Sequence, residues 1–426
     1  MSEYIVPLSD PAAVCPERVG GKAANLARLS RAGLPTPGGF VLSAPAYHHQ
    51  LRHLGVDHEA RAYDDEDFSA QVRMSIRIRL ALYQGAIAPA ILEPLLAAWR
   101  AQHAATPLSA VRSSALVEDS EAASFAGQFE SFLGLSDEAE FLTAVRACWA
   151  ALWTSRARRY METHDLSPGG TAMAVLIQPL VQAEAAGGGL SRTADGEMLI
   201  SATWGLGSAL AQGEVVPDRV ALDRSGRVLS IDPGRKPQSD VCLHGLGVAP
   251  SAVSKSFACE ASIGFEQAES LGMMLLEAER VCGGPVEIEW ALDEYGPKLL
   301  QARPLRFEPA PAPDQIWLRH PGLRGHPAGI GWGAGRGVVV RCECELARVG
   351  FGDILVTQVA GPALSQILAR VSGVVTELGG STSHLASLAR ERGIPMVLGV
   401  LGATQRIPDG SQVAVDGVAG IVRWMN

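Results

Sequence analysis

The stretch TELGGSTSHLASLAR, from Thr376 to Arg390, carries the strongest structural signal in the chain. A β-branched run ends there at two glycines, a Ser/Thr run follows, and an apolar helical pattern starts at His384. His384 therefore falls in the first turn of a helix, where free amide groups and the helix dipole favour an anion. Because a neutral imidazole nitrogen accepts a phosphoryl group near neutral pH, the pattern indicates a phosphate-carrying histidine rather than a structural one.

Alternating strand and helix patterns surround this stretch and predict an α/β domain over residues 333–426. Its strand runs are Val338–Val340, Ile354–Val359, Gly373–Thr376, Met396–Leu398, Gln412–Val415 and Gly420–Arg423, and its helical patterns are Pro362–Val371 and His384–Arg392.

A linker is predicted before that domain, over residues 308–332. The alternating prolines of EPAPAPD, Glu308 to Asp314, exclude helix and central strand, and a Gly-rich stretch follows from Pro321. In the polyproline II conformation, at ~3.1 Å per residue, EPAPAPD reaches about 20 Å. That reach is enough to let a domain exchange partners.

Residues 1–307 mix helical and strand patterns and predict a large α+β domain in two lobes. The helices are Lys22–Ala32, Asp137–Glu162 and Lys255–Val281, and the strands are Ala172–Gln178, Leu199–Thr203, Val220–Asp223, Val286–Leu292 and Lys298–Gln301.

Composition excludes several classes of protein. With 47% hydrophobic and 19% charged residues in 426, the chain has ample material for packed cores, and a net charge of −9 without Lys/Arg runs argues against a nucleic-acid partner. The sequence shows neither an apolar run long enough to span a membrane nor an export signal, so we expect a cytoplasmic protein.

Seven scattered cysteines fit a reducing compartment. Cys342 and Cys344 are expected in a strand pair with one buried face, without a metal role.

Three further motifs point to phosphate chemistry. In the first, Gly20 and Gly21 allow a close backbone approach and Lys22 follows at a helix start, which suits phosphate. Taken alone, the same pattern also fits a capped surface helix. In the second, Arg112 follows a strand and Gly127 lies in a small-residue hairpin, which together provide a clamp and a lid for a polyanion; an ordinary hairpin is the alternative.

The third motif pairs EIEW at residues 287–290 with QARP at 301–304 across a turn. Residues two apart in a strand share a face, so Glu287 lies with Glu289, and Gln301 with Arg303. Carboxylate and amide oxygens beside an arginine suit a magnesium nucleotide. A solvated cross-strand salt bridge is the alternative.

Taken together, the motifs resemble the dikinase family that includes phosphoenolpyruvate synthase, pyruvate phosphate dikinase and rifampin phosphotransferase. The blocks that carry the resemblance, in family order, are GGKAANLARLSRAGLPTPGGF, AVRSSALVEDSEAASFAGQF, WGLGSALAQGEVVPD with IEWALDEYGPKLLQARP, and GVVTELGGSTSHLASLARERGIPMVLGV. The resemblance implies an ATP-grasp nucleotide-binding domain over 1–307 and a swivelling phosphohistidine α/β domain over 333–426.

Site residues follow from the resemblance position by position. Lys22, Arg112 and Arg303 are expected to hold phosphates, Gly127 and Ser131 to form a glycine-rich loop, and Gln178 to line the adenine side. Glu289 and Gln301 are expected to bind Mg²⁺, and His384 to become phosphorylated.

The family mechanism implies that ATP phosphorylates His384 with release of AMP, and that the domain then swings and passes the phosphate to an acceptor. Family members commonly carry a third, acceptor-binding domain, for which this sequence shows no segment. Glu130 and Ser131 stand where aspartate and threonine are usual, and residues 185–189 replace a more typical Ser-Gly-Val segment.

Three functions remain open. The preferred one is an AMP-forming phosphotransferase acting on a small molecule, such as a hydroxyl compound in specialised metabolism or antibiotic modification. The second is half of a phosphoenolpyruvate synthase, with the pyruvate site on a separate acceptor-domain protein. The third is a phosphocarrier or nucleotide-sensing module that discharges to a protein partner.

Overall fold

The computed structural model describes residues 3–119, 125, 127–193, 195–243, 247–305, 317–320, 322–359 and 361–425. The predicted linker segment Glu308–Asp314 lies outside these residues. Helices and sheets alternate along the chain, which confirms the predicted mixed α/β multidomain class. The chain divides into two compact units: the first holds residues 1–181, 242–249 and 298–303, and the second holds 182–241, 250–297 and 304–426.

The first unit is built on an antiparallel sheet. Its central strand, Met173–Pro179, is buried along nearly its whole length, so both of its faces must be covered, and the helices Ala44–His53 and Glu138–Ala151 pack on it. The five strands lie in the order Ile5–Pro7, Phe40–Leu42, Met173–Pro179, Ser109–Ala115 and Ser131–Leu135.

Polar caps fix the ends of the helices in this unit. The predicted helix Asp137–Glu162 is in fact two helices, Glu138–Ala151 and Ser155–Glu162, because the Thr154 side chain accepts from Ala157 N and starts a second helix.

Among the described residues no single helix is long and apolar enough to cross a membrane; the neighbours Phe68–Gln84 and Pro89–Ala105 meet that criterion only as a pair bent by 53°. The other helices are Pro16–Val19, Gly21–Arg31, Ala44–His53 and Asp57–Ala62.

The described residues of the second unit form two large sheets. In the first of them, five strands pair antiparallel in the order Val286–Asp293, Ala185–Leu190, Met198–Trp204, Asp218–Leu222 and Val228–Asp232. The helix Phe265–Cys282 packs against these strands and begins ten residues later than the sequence pattern places it, since Gly264 forms its N-terminal cap. The strand Gly296–Pro304 is divided between the two units.

The other sheet contains the motif around His384. Four strands are parallel at its centre, and their apolar side chains, among them Ile354, Val375 and Val397, form one buried cluster. The eight strands lie in the order Gly322–Arg324, Ile421–Met425, Gln412–Asp416, Trp332–Val340, Ile354–Thr357, Gly373–Thr376, Met396–Leu398 and His326–Pro327. Residues 322–332, which the sequence assigns to the linker, therefore supply strands to this sheet.

Two expectations for the C-terminal region are wrong. Residues 362–371 form short 3-10 turns, Pro362–Gln366 and Leu368–Arg370, because their hydrogen bonds reach back three residues rather than four. Cys342 and Cys344 are exposed and joined by a disulfide, outside any strand pair. The chain turns there because Arg341 N donates to the Glu345 carboxylate, 2.8 Å away, and the strand ends at Val340.

Candidate functional site

His384 is the first residue of the helix His384–Glu391, called here the histidine helix. Ser383 caps this helix, and its Oγ accepts from Ala386 N at 3.3 Å. The His384 side chain is partly exposed, whereas Ser383 and the following helical residues are buried. The imidazole therefore lies at the end of the helix where the dipole stabilises negative charge.

The loop before His384, residues 379–382 and called here the histidine loop, packs closely against residues 215–217 and against the strand Ala185–Leu190 of the second unit. Gly379 N donates to Val215 O at 2.9 Å. A Cβ atom on Gly380 would lie 2.3 Å from Pro217 Cγ, and one on Gly188 would lie 2.5 Å from Thr382 Cβ. Both glycines are therefore required for this approach.

This packing places the histidine loop beside a predicted metal ligand. Gly188 pairs in register with Glu289 on the neighbouring strand Val286–Asp293. Thr382, which lies over Gly188, is two residues from His384 in sequence. The sequence motifs that contain His384 and Glu289 are thus brought together within the second unit.

Glu287 forms a buried ion pair with the histidine helix. Arg390 Nη2 lies 2.9 Å from Glu287 Oε2, and Ser387 Oγ donates to Glu287 Oε1 at 3.0 Å. The other Arg390 nitrogen, Nη1, donates to the carbonyl oxygens of Ser381 at 2.6 Å and Ala328 at 3.1 Å. Glu287 therefore does not form a solvated surface salt bridge; it connects its strand to the histidine helix.

Sequence reasoning missed Ser387 and Arg390 as members of this site. The signal was present, since an arginine in the Ala/Leu-rich segment LASLAR needs a counter-charge once that segment is buried. The spacing of three also puts Ser387 and Arg390 on one face of the helix.

His326 is buried beside the same loop. A Cβ atom on Gly399 would lie 2.6 Å from His326 Cδ2 and 3.3 Å from Gly379 O, so the histidine and the loop face one narrow space. Burial lowers the pKa of His326 to about 4, and the positive charge of Arg219 acts in the same direction. The ring is therefore neutral at physiological pH.

In the first unit, Gly20 and Gly21 bring the start of the helix Gly21–Arg31 against the end of a strand. A Cβ atom on Gly20 would lie 2.0 Å from Ser114 O, and one on Gly21 would lie 1.8 Å from Glu118 O. Lys22 is buried there, with its Nζ 2.7 Å from Glu118 Oε1 and 3.0 Å from Ser113 O. The helix start is buried, so the surface-helix alternative does not hold, and Glu118 is the present counter-ion of Lys22.

A run of hydrogen bonds connects Arg112 to this region. Arg112 Nη2 donates to Gln301 Oε1 at 3.1 Å, and Gln301 Nε2 donates to Asp119 Oδ2 at 2.7 Å. Asp119 directly follows Glu118, which holds Lys22. The structure thus brings together Lys22, Arg112 and Gln301, which the sequence predicts from three separate motifs.

The other predicted residues of the first unit differ in how closely they join this group. Ser131 pairs in register with Arg112, whereas Gly127 lies in the preceding turn with φ +67°. Gln178 is buried on the central strand, where its Nε2 donates to Gly38 O at 3.2 Å. Arg303 is buried on the strand that also carries Gln301.

Glu289 offers carboxylate oxygens and Gln301 offers an amide oxygen, and both are chemical groups that bind Mg²⁺. Within the described part of the chain, no three His, Cys, Asp or Glu residues form a group able to hold a metal ion on their own. Mg²⁺ is commonly bound by one or two protein oxygens together with substrate phosphates and water. The Glu289 carboxylate in the second unit and the Gln301 amide in the first unit each offer an oxygen of that kind. Gln301 Oε1 now accepts from Arg112, so binding through this oxygen requires that hydrogen bond to be exchanged.

Two family models match this chain. Residues 16–317 match the family model "Pyruvate phosphate dikinase, AMP/ATP-binding domain". Residues 350–420 match "PEP-utilising enzyme, mobile domain". The first match alone covers well over half of the chain.

Curated relatives match over most of this chain. A protein named probable phosphoenolpyruvate synthase from Methanothermobacter thermautotrophicus is 31% identical over 95% of this chain and 61% of its own length. Phosphoenolpyruvate synthase of Aeropyrum pernix is 32% identical over 95% of this chain and 56% of its own length. The chain thus spans little more than half the length of these relatives. A solved structure of an Enzyme I protein covers 18% of the chain with a TM-score of 0.17, an overlap too small to support an argument.

Proposed function

The chain belongs to the family of pyruvate phosphate dikinases and PEP-utilising enzymes, and from this premise we propose that it is an ATP-dependent, AMP-forming phosphotransferase acting through His384. In the first step a ring nitrogen of His384 attacks the β-phosphorus of ATP. The bond from that phosphorus to the oxygen shared with the α-phosphate breaks, and AMP leaves. Water or inorganic phosphate then takes the terminal phosphoryl group, and phosphohistidine remains for transfer to an acceptor.

One observation carries this proposal: the loop before His384 packs onto the strand that pairs with Glu289, through contacts that exclude a side chain at Gly188. A histidine that receives phosphate from a magnesium nucleotide must come close to the metal ligands, because phosphoryl transfer depends on in-line positioning. The capped end of the histidine helix also stabilises the charge that His384 acquires.

The remaining residues take supporting roles in the proposal. Lys22, Arg112 and Arg303 neutralise the nucleotide phosphates, Gly127 and Ser131 form a loop over them, and Gln178 lines the adenine side. When bound, Mg²⁺ neutralises phosphate charge, and Glu289 and Gln301 are the residues that would hold it. The proposal also includes an ATP-grasp domain over 1–307 and a swivelling domain over 333–426, to whose sheet residues 322–332 add strands, so that the proposed linker precedes Gly322.

The acceptor defines two versions of this function. The first is a small molecule with a hydroxyl group. The second is pyruvate bound on a separate chain, and it is favoured by the relatives named phosphoenolpyruvate synthase, of which this chain spans 55–61%.

Chromatography of the nucleotide products tests the proposal. With ATP and Mg²⁺ the chain should form AMP rather than ADP, and the isosteric His384→Asn variant should form neither, while the exposed-site control His53→Asn should behave like the wild type. ADP as the product, or AMP formation by His384→Asn, would contradict it. Pyruvate and pools of hydroxylated metabolites are then added separately to the wild-type protein. The acceptor is the compound that increases the rate of AMP formation.

A further inference from the structure

The helix Phe68–Gln84 of the first unit presents a row of apolar side chains to solvent. The row, called here the exposed stripe, consists of four residues that are each between 49% and 71% exposed: Phe68, Ile76, Leu80 and Tyr83. Residues three, four or eight positions apart lie on one side of an α-helix, so these side chains share a face. The opposite side packs into the unit through the buried residues Ala70, Ser75, Ile78 and Leu82.

The exposed stripe is long and continuous. Phe68 and Tyr83 are 15 residues apart, so the stripe runs for about 22 Å along the helix axis. Val72, which is partly exposed, fills the interval between Phe68 and Ile76. Single exposed apolar residues are common on protein surfaces, whereas a contiguous row indicates a contact surface. A straight row of this length suits a second helix, whose side chains would pack between those of the stripe.

Arginines are the only charged residues of this helix, and they lie along both edges of the stripe. At 100° per residue, Arg73 and Arg77 lie beyond Leu80 on one edge, and Arg79 lies near Phe68 on the other. Arg77 forms an ion pair with Glu59 at 2.6 Å. Arg73 and Arg79 are exposed and form no ion pair with a carboxylate among the described residues. Their guanidinium groups therefore remain available to carboxylates of a partner.

The distribution of charge selects among possible occupants of the stripe. A second copy of the chain would set arginine against arginine whichever way its helix ran, because both edges carry arginine and residues 68–84 include no acid. An anionic membrane surface would be repelled by the four exposed acids that directly precede the helix, at residues 64–67. A partner protein with carboxylates beside an apolar row avoids both conflicts.

We propose that the exposed stripe docks an amphipathic helix of a partner protein, with Asp or Glu flanking its apolar row. The two apolar rows pack against each other, and the acids of the partner pair with Arg73 and Arg79. This surface does not depend on the phosphotransfer proposed for His384.

Fluorescence anisotropy with the full chain tests the proposal. The probe is a labelled synthetic helical peptide of about 18 residues, long enough to cover the stripe, in which a row of leucines is flanked by glutamates. A matched peptide carries lysine in place of every glutamate. The glutamate peptide should bind saturably with a Kd below about 100 μM, and the lysine peptide should bind at least about tenfold more weakly.

Substitutions in the chain locate the binding. Ile76→Gln and Leu80→Gln should each weaken the glutamate peptide by about tenfold, because each removes apolar area that docking buries. Arg73→Gln and Arg79→Gln should each weaken it by about twofold to fivefold, an effect that about 0.5 M salt should remove. The matched control is Met273→Gln, which changes an apolar residue of the second unit that is likewise exposed, and it should bind like wild type.

Four results would overturn the proposal. The first is no saturable binding of the glutamate peptide up to about 1 mM. The second is equal binding of the two peptides, or binding that Ile76→Gln leaves unchanged while circular dichroism shows the variant folded. The third is self-association in sedimentation that Ile76→Gln abolishes, which would assign the stripe to a second copy. The fourth is binding to phosphatidylcholine–phosphatidylserine vesicles that Leu80→Gln abolishes, which would assign it to a membrane.

Discussion

Two ion pairs buried in the second unit look alike in chemistry and differ in what they connect. Lys236 and Asp218 are fully buried, and Asp218 also accepts from Gly234 N at 2.8 Å and Ser262 N at 2.7 Å. Arg390 and Glu287 are almost as buried, at 7% and 6% side-chain exposure. The first pair fixes two loops, around Lys236 and Ser262, to the strand that begins at Asp218, whereas the second connects the strand of Glu289 to the histidine helix.

Burial alone does not reveal the role of an ion pair. If the Arg390–Glu287 pair opens, Arg390 keeps the carbonyl oxygens of Ser381 and Ala328, which belong to its own side of the contact. Lys236 has no such reserve, since its Nζ bonds to Asp218 alone among the described residues. We therefore expect the Lys236–Asp218 pair to support folding and the Arg390–Glu287 pair to support the position of His384.

The largest expected effect is on stability, from Asp218→Ala. This change leaves Lys236 buried without a counter-charge, which costs about 3–5 kcal/mol in the free energy of unfolding. Urea denaturation measures the loss, and phosphorylation of His384 per folded molecule should stay near the wild-type level. The control Asp232→Ala removes a partner of Arg219 in an exposed pair and should cost under about 1 kcal/mol. If Asp218→Ala and Asp232→Ala lost equal amounts of unfolding free energy, the folding role of the Lys236–Asp218 pair would be contradicted.

The next largest effect is expected on the pH dependence of stability, and it should come from His326, which is buried beside the histidine loop. Its pKa is about 4 in the folded chain because of burial, against about 6.5 in an unfolded one. Stability contributed by the neutral ring is complete above about pH 6.5 and is lost as the pH falls toward 4, by up to about 3 kcal/mol. Urea midpoints at pH 7 and pH 4.5 should differ less in His326→Gln than in wild type. The same pH dependence in both proteins would remove His326 as its source.

A smaller effect, on chemistry rather than folding, is expected from Glu287→Gln. The amide keeps the shape but loses the charge that holds Arg390, so His384 phosphorylation should slow by about tenfold, equivalent to about 1.4 kcal/mol. The unfolding free energy should change by less than about 2 kcal/mol, because Arg390 keeps its carbonyl acceptors. Rapid-quench measurement of phosphorylation checks this, with Glu279→Gln, from the surface pair with Arg224, as control. A slowed Glu279→Gln, or an unaffected Glu287→Gln, would contradict the positioning role.

The smallest effect is expected from Gly188→Ala. Its Cβ would lie 2.5 Å from Thr382 Cβ, so the histidine loop must shift and phosphorylation should fall by about threefold to fivefold. Gly284→Ala is the matched control, since a Cβ there meets nothing within 4 Å. Binding of a non-hydrolysable ATP analogue should be the same in both variants. A change in nucleotide affinity for Gly188→Ala alone would place the effect elsewhere.

The local sequence predicts most of the elements that matter for the site. Gly-Gly followed by Ser/Thr before an apolar helix places His384 at a helix start, because caps and glycine turns are local signals. The sequence does not predict the break at Leu152–Thr154, since the helical pattern continues through it and the second helix starts at the cap formed by the Thr154 side chain. Boundaries of this kind depend on single hydrogen bonds rather than on periodicity.

Long-range pairing is the part that the sequence conceals. Glu287 and Glu289 lie two apart on one strand and suggest a common role by periodicity, yet Glu287 pairs with Arg390, which is 103 residues away. Gly188 likewise has no obvious partner until Thr382 is seen against it. Such contacts arise from tertiary packing, which the period of a strand or helix does not encode.

Labelling with ATP that carries ³²P at the β-phosphate tests whether His384 receives the phosphoryl group. We expect an acid-labile, base-stable label on the wild-type chain that maps to the peptide containing His384, and no such label on His384→Asn. Label from γ-labelled ATP should be lost once water or inorganic phosphate has reacted. Equal labelling of wild type and His384→Asn, or no label on the wild type with Mg²⁺ present, would contradict it.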